Sequence, residues 1–276
     1  MGAYEALWTQ PGATFKTIAD KFRANPSAGP SDLVTEGIAN KFAEDASEIL
    51  QRAKITNFGV RVHGAGEYPS KLRVAEHPVE LLYYQGWWDL VNSRCIAIVG
   101  TREPSHQSTD ATTELVRNLV KDKLTIVSGL AKGIDSVAHK TAIDAGGFTI
   151  AVIGTALSQS YPAVNKDLQA VIGRDFLLIS QVPVVRSSNQ GPNQNRVFFP
   201  ERNITMSALT EATVIMEAGE TSGTLTQARA ALKQKRKLLI WHKCFENETL
   251  TWPKRFEAEG AIRVSSYDDL KRALEP

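Results

Sequence analysis

Three stretches place small residues, hydroxyls and a cation where an apolar run ends: "VGTREPS" (99–105), "VSGLAKGID" (127–135) and "EAGETSGTLTQA" (217–228). In the second, Ser128 and Gly129 let the backbone approach a ligand with no bulky side chain in the way. The helix expected to follow points free N–H groups at the same spot, its dipole favours an anion, and Lys132 adds a point charge. In the first, Arg102 offers a fork that matches phosphate oxygens, and Ser105 is a good N-cap for the next helix. In the third, Ser222, Gly223 and Thr224 bring hydroxyls and backbone donors to another helix start. The shared chemistry is phosphate binding. Each turn alone is equally compatible with a tight turn whose cation faces solvent.

Other residues are weaker guides. "FFPERN" (198–203) follows the breaker-rich "RSSNQGPNQNR" and reads as a loop in which Arg196, Arg202 and Asn203 interleave with Phe198 and Phe199. That mixture suits single-stranded nucleic acid, where bases stack on rings and cations meet phosphates. At least one of the two phenylalanines is expected to plug the core instead. Asp135 and His139 lie four apart on one helical face, and a hydrogen bond between them fixing the turn is a simpler reading than catalysis. Glu217 reads as a loop anchor, and "KQKRK" (233–237) as a solvated helix end. There is no Walker A lysine motif and no GxGxxG after the first strand, so no nucleotide cofactor is expected.

The elements that must hold these turns follow from the apolar pattern. "CIAIV" (95–99), "LTIV" (124–127), "FTIAVI" (148–153), "FLLI" (176–179), "TVIM" (213–216) and "KLLIW" (237–241) read as buried strands of a parallel sheet. Helical stripes separate them, as in Leu115, Val116, Leu119 and Val120, or Leu225, Ala228 and Leu232. Alternating strands and helices predict an α/β fold with a doubly wound, mostly parallel, extended Rossmann-like sheet. Ligands of such sheets bind beyond the carboxyl ends of the strands, where the three turns should converge. Before the sheet, "ATFKTIADKF" and "SDLVTEGIANKFAEDASEILQRA" predict amphipathic helices. The expected division is a small N-terminal helical region, residues 1–56, and a main domain, residues 57–276, whose first stretch to Gly86 is a lead-in.

The 276 residues carry a formal net charge of +2, so any basic footprint must be local rather than global. The two cysteines, Cys95 and Cys244, stand in apolar surroundings without metal-ligand spacing, which suits reduced thiols in a cytoplasmic protein. No apolar stretch approaches membrane-spanning length, so no membrane partner is expected.

Taken in order, "YPSKL", "AIVGTREPS", "IVSGLAKGIDSVAH", "TIAVIGT" with Tyr161-Pro162, "FFPERN" and "MEAGETSGTLTQA" resemble the DprA/Smf family of DNA-processing proteins. The resemblance runs from about Tyr68 to Ile240. It implies a Rossmann-like domain without cofactor that binds and protects single-stranded DNA. It also implies help in loading a RecA-type recombinase during natural transformation, and possible pairing as a homodimer. On the matching positions, Arg102 and Lys132 would meet DNA phosphates, and Ser128 and Gly129 would bring the backbone close. Arg202 and Asn203 would line the groove, and Ser222, Gly223 and Thr224 would complete its anion-binding wall. The chain departs from the family at Ile204, where a second arginine is usual, at Gln181, at "IWHK" (240–243) and at "HQS" (106–108). Two alternatives share the fold: a nucleotide-sensing module, and a hydrolase of nucleoside monophosphates. Those hydrolases carry a glutamate after their glycine turn, where this chain continues Leu225-Thr226-Gln227. A third alternative is an interaction scaffold using the N-terminal helices.

Overall fold

Short Val- and Ile-rich runs bounded by Gly or Ser become strands in the computed structural model, which describes residues 1–275. Among these residues nine strands form one sheet: β1 (Gly59–Val62), β2 (Leu81–Gly86), β3 (Cys95–Val99), β4 (Thr125–Ser128), β5 (Thr149–Ile153), β6 (Leu177–Ser180), β7 (Ala212–Ile215), β8 (Lys237–Trp241) and β9 (Ile262–Val264). Their order is β1-β2-β6-β5-β4-β3-β7-β8-β9. From β6 to β9 every pairing is parallel, while β1 and β2 join antiparallel at one edge. The stretch expected to be a lead-in therefore builds part of the sheet. Its period-2 signal is broken by Gly64, Gly66 and two prolines, and β1 is only partly buried, so it carries no continuous apolar run.

Strand alternation divides the core. Ile96, Ile98, Ile126 and Val214 face a cluster with Leu115, Val116 and Leu119 of the helix His106–Lys121 and Ala138 of the helix Ile134–Asp144. Cys95, Ala97, Val99, Val127 and Ile215 face the opposite cluster.

That second cluster also takes in the N-terminal region. Its helices span Gly2–Thr9, Phe15–Ala24 and Glu36–Arg52, and Tyr4, Leu7, Trp8, Phe15 and Leu50 are all buried in it. The helix over 15–24 begins at the expected place, with Thr14 and Thr17 forming a capping box. The helix over 2–9 carries no polar face, so no amphipathic stripe announces it: its first seven residues are buried. Among the described residues no helix is long and apolar enough to cross a membrane.

Candidate nucleic-acid interface

β3 is the topological switch point. The chain leaves it toward β4 on one side, and its other neighbour is β7, so the loops after β3 and β7 diverge and leave a crevice. A cavity of about 470 Å³ fills that crevice, bordered by Thr101 and Arg102 from one loop and Ser222, Gly223 and Thr224 from the other. Arg202 and Asn203 form its side. A second cavity of about 270 Å³ adjoins it, lined by Arg102, Gly129, Lys132, Tyr161, Phe199 and Arg202. The two share Arg102, Glu103, Ala131, Phe199 and Arg202, and so form one groove. Of the nine residues singled out in the sequence, only Ser128 lines neither part.

The loops after β3 and β4 are locked together. Gly133 has φ +74°, and a side chain on it would strike the Thr101 carbonyl and the Arg102 backbone. The Ile134 amide donates to Thr101 O at 3.2 Å across the same contact. Ser128 is buried and donates from Oγ to Ile98 O at 2.6 Å, so its hydroxyl is spent on a strand-to-strand tie. Asp135 Oδ2 accepts the amides of Gly129 (3.1 Å) and Ala131 (3.3 Å), which fixes the turn. The expected Asp135–His139 hydrogen bond is not made. His139 Nδ1 pairs with Thr149 Oγ1 at 2.6 Å because the helix Ile134–Asp144 buries its ring against β5. Burial and the nearby Arg202 charge push the His139 imidazole down to about 3, so it is neutral at physiological pH.

"FFPERN" is helical, not a loop: it opens the helix Phe198–Leu209. The turn of that helix carries Arg202 inward, to 7% exposure, where Nη1 donates to the carbonyls of Gly129 and Val152 and Nε to Asn203 Oδ1 at 2.9 Å. Gly129 is required here, since a Cβ would overlap the guanidinium. Burial brings the Arg202 guanidinium down to about 10, with Asp135 opposing that fall and Arg102 adding to it. Burial likewise raises the Asp135 carboxyl, against the pull of Arg202 and the two amides. Arg202 thus braces the side of the groove, with one arm of its fork committed to the protein.

Asn203 Nδ2 donates to Gly223 O at 3.1 Å, which ties this helix to the third turn. There Ser222 Oγ accepts the Thr224 amide at 3.2 Å, at the start of the helix Thr224–Lys233. Glu217 is the anchor expected of it: its carboxylate accepts the Ser105 amide and hydroxyl, both at 3.0 Å, and Ser105 caps the helix His106–Lys121. Burial alone would raise the Glu217 carboxyl, but the nearby Ser108 hydroxyl, the two Ser105 hydrogen bonds and the Lys243 charge hold it below its usual value.

Arg102 and Lys132 are exposed, and among the described residues neither takes part in an ion pair. Two cations from different strand ends thus line one groove, with Glu103 on the same rim and Asp135 beside Arg202 in the larger cavity. Beside them Phe199 meets Tyr161 edge-on at 5.6 Å, and Tyr161 is half exposed. Phe198 turns the other way and is fully buried, so one ring plugs the core and its neighbour faces the groove. Sequence reading passed over Tyr161 and Glu103 as site residues. Their positions beside Pro162 and Arg102 were the available signal, since a loop aromatic before proline and a residue flanking a rim cation share the same rim.

Comparison with known proteins agrees with this geometry. The family described as DNA recombination-mediator protein A matches residues 59–275. The DNA processing protein DprA of Streptococcus pneumoniae is 39% identical over 172 residues, 61% of this chain and 57% of that protein. The chain spans about half the length of the curated relatives it matches. The X-ray structure of the S. pneumoniae protein superposes with a TM-score of 0.77 at 27% identity, covering 100% of this chain and 99% of that one. DNA processing protein A of Helicobacter pylori, whose structure describes a single-stranded DNA binding mode, superposes with a TM-score of 0.67 at 26% identity, over 79% of this chain and 95% of that one. The family match, the sequence identities and the superposition agree: this chain belongs to the DNA recombination-mediator protein A family, that of the DprA and Smf proteins.

Proposed function

We propose that the groove holds single-stranded DNA and that the protein is a non-enzymatic recombination mediator. One observation carries this: Arg102 and Lys132, from separate strand ends, share a groove with the Phe199–Tyr161 pair. Cations meet phosphates and rings meet bases, a combination that reads backbone and not sequence. In this reading Arg102 and Lys132 contact phosphates. Gly129 and the Ser128 backbone bring the chain close, Arg202 and Asn203 form the wall, and Ser222, Gly223 and Thr224 supply donors. The main domain, residues 57–276, carries the groove, and residues 1–56 form an appended helical region. The function suits a cytoplasmic protein that hands its strand to a RecA-type recombinase, with a homodimer as the working form.

Hydrolysis of a nucleotide is disfavoured by Gln227. Its side chain is an amide, not a carboxylate, and its Nε2 donates to Thr213 Oγ1 at 3.2 Å. An amide cannot relay a proton as a general acid or base.

The test is fluorescence anisotropy with labelled oligo-dT against free thymidine monophosphate, at two salt concentrations, for the wild type and the Arg102→Ala/Lys132→Ala pair. Tight, salt-sensitive oligomer binding that the double substitution weakens supports the proposal. Equal affinity of wild type and double variant removes it. Preference for the mononucleotide points to the sensing alternative.

A further inference from the structure

No residue of the N-terminal helices lines either cavity, yet both ends of the segment that leads into the groove wall are fastened to them. At one end, the Glu5 carboxylate is fully buried and accepts the amides of Val184 (2.8 Å) and Val185 (2.9 Å) and the Tyr83 hydroxyl. Arg186, two residues on, donates to Ala13 O at 2.6 Å and lies 5.3 Å from the centre of the Trp8 ring. At the other end Phe198 is wedged between Trp8 (6.3 Å, edge-on) and Phe15 (5.9 Å, edge-on), which also pack on each other at 4.7 Å. Between these ends lies polar chain, residues 189–197, with only a four-residue helix of its own.

The groove-wall helix needs such an anchor. Val197 stands at its N-cap position, and no side chain caps it. An uncapped helix end frays unless packing holds it. Phe198 is the first residue of that helix, and Phe199 and Arg202 are the groove residues that follow within one turn. An aromatic cluster of this kind resists displacement because its rings are large, stiff and locked edge to face.

We infer that Trp8 and Phe15 are positioning residues for the groove: through Phe198 they set where Phe199, Arg202 and Asn203 stand. The N-terminal helices are thereby a brace for the DNA-binding wall. This inference rests on the groove being the DNA site, and its test separates the two.

The experiment uses the full chain and labelled oligo-dT. Trp8→Ala lowers affinity about tenfold, the factor that corresponds to about 1.4 kcal/mol. It also speeds amide exchange over residues 198–203, while β3 and β4 stay protected. Trp8→Phe keeps the edge-on packing and restores both readouts. Leu270→Ala truncates the core cluster on the other face of the sheet, so it lowers stability yet leaves affinity within about twofold. A folded Trp8→Ala variant with wild-type affinity overturns the inference, as does an equal loss of affinity in Leu270→Ala. Should Trp8→Ala not fold, Phe15→Leu decides by the same two readouts. The Arg102→Ala/Lys132→Ala variant runs beside them. Binding unaffected by that pair refutes the groove as the site, whereas binding lost in the pair but indifferent to Trp8 and Phe15 refutes the brace alone.

Discussion

Arg102 and Arg202 line the same cavity, one on the loop after β3 and the other on the helix Phe198–Leu209. Arg102 is exposed and faces no carboxylate within ion-pair distance among the described residues, whereas Arg202 is 7% exposed and bonded to two carbonyls and Asn203. The loop rim therefore supplies charge, and the helical wall supplies shape. A residue type that suits phosphate does both jobs, and only burial tells them apart.

The largest effect expected from this difference is on stability. Arg202→Met leaves the Gly129 and Val152 carbonyls without their donor and Asp135 without its nearby cation. Urea unfolding should show a loss of about 3 kcal/mol, the usual scale for breaking a buried, charge-assisted network. Arg202→Lys should recover little, because an ammonium cannot match the guanidinium's planar fork. If Arg202→Met lowered DNA affinity at unchanged stability, wall and rim would be equivalent and the distinction would fail.

The reverse pattern is expected at the rim. Arg102→Ala with Lys132→Ala should change stability by less than about 0.5 kcal/mol, as exposed substitutions do. Affinity for single strands should fall by roughly 30- to 100-fold, and the slope of log affinity against log salt by about 1.4, two phosphate contacts at about 0.7 each. An unchanged slope with weaker binding would mean that these residues shape the groove without touching phosphates.

How much of this was readable beforehand follows the same division. The three turns converge as expected because strand ends of a parallel sheet share one edge, and Val-, Ile- and Gly-rich punctuation marks those ends in any context. Arg102 and Lys132 were legible as rim residues because both sit in turns that follow strands, and those strand ends share one edge. Arg202 was not. Its helix buries Thr205, Met206, Ser207, Ala208 and Leu209 in succession, so no polar stripe betrays the helical period. Pro200 near its start and the breaker-rich run before it imitate a loop. The Asp135–His139 pair misled for a related reason. Spacing puts both on one face, but their partners, two backbone amides and Thr149, belong to the tertiary structure. The strand β9 was missed because it is three residues long, too short for any periodicity.

The smallest effect concerns Glu201, the residue beside Arg202, which lies outside the lining of both cavities. Burial raises its carboxyl to about 7, and the neighbouring Glu76 adds to the rise, although Lys233 pairs with Glu76 at 2.9 Å. Between its ordinary 4.5 and about 7 the folded chain holds this proton and the unfolded chain has released it. The associated stability is therefore complete below about 4.5 and is lost as pH rises through 7. Glu201→Gln removes the titration, so the variant should match the wild type at pH 4 and exceed it at pH 8 by on the order of 1 kcal/mol. Other groups titrate over the same range, the buried His139 among them, but they are common to both proteins and cancel in the difference. Urea midpoints at pH 4, 6 and 8 measure it. Oligonucleotide affinity should stay the same in the variant at each pH, because Glu201 lines neither cavity of the proposed groove. A variant no more stable at pH 8 than at pH 4, relative to wild type, would place Glu201 in water and leave the helical wall less tightly packed than its other contacts require.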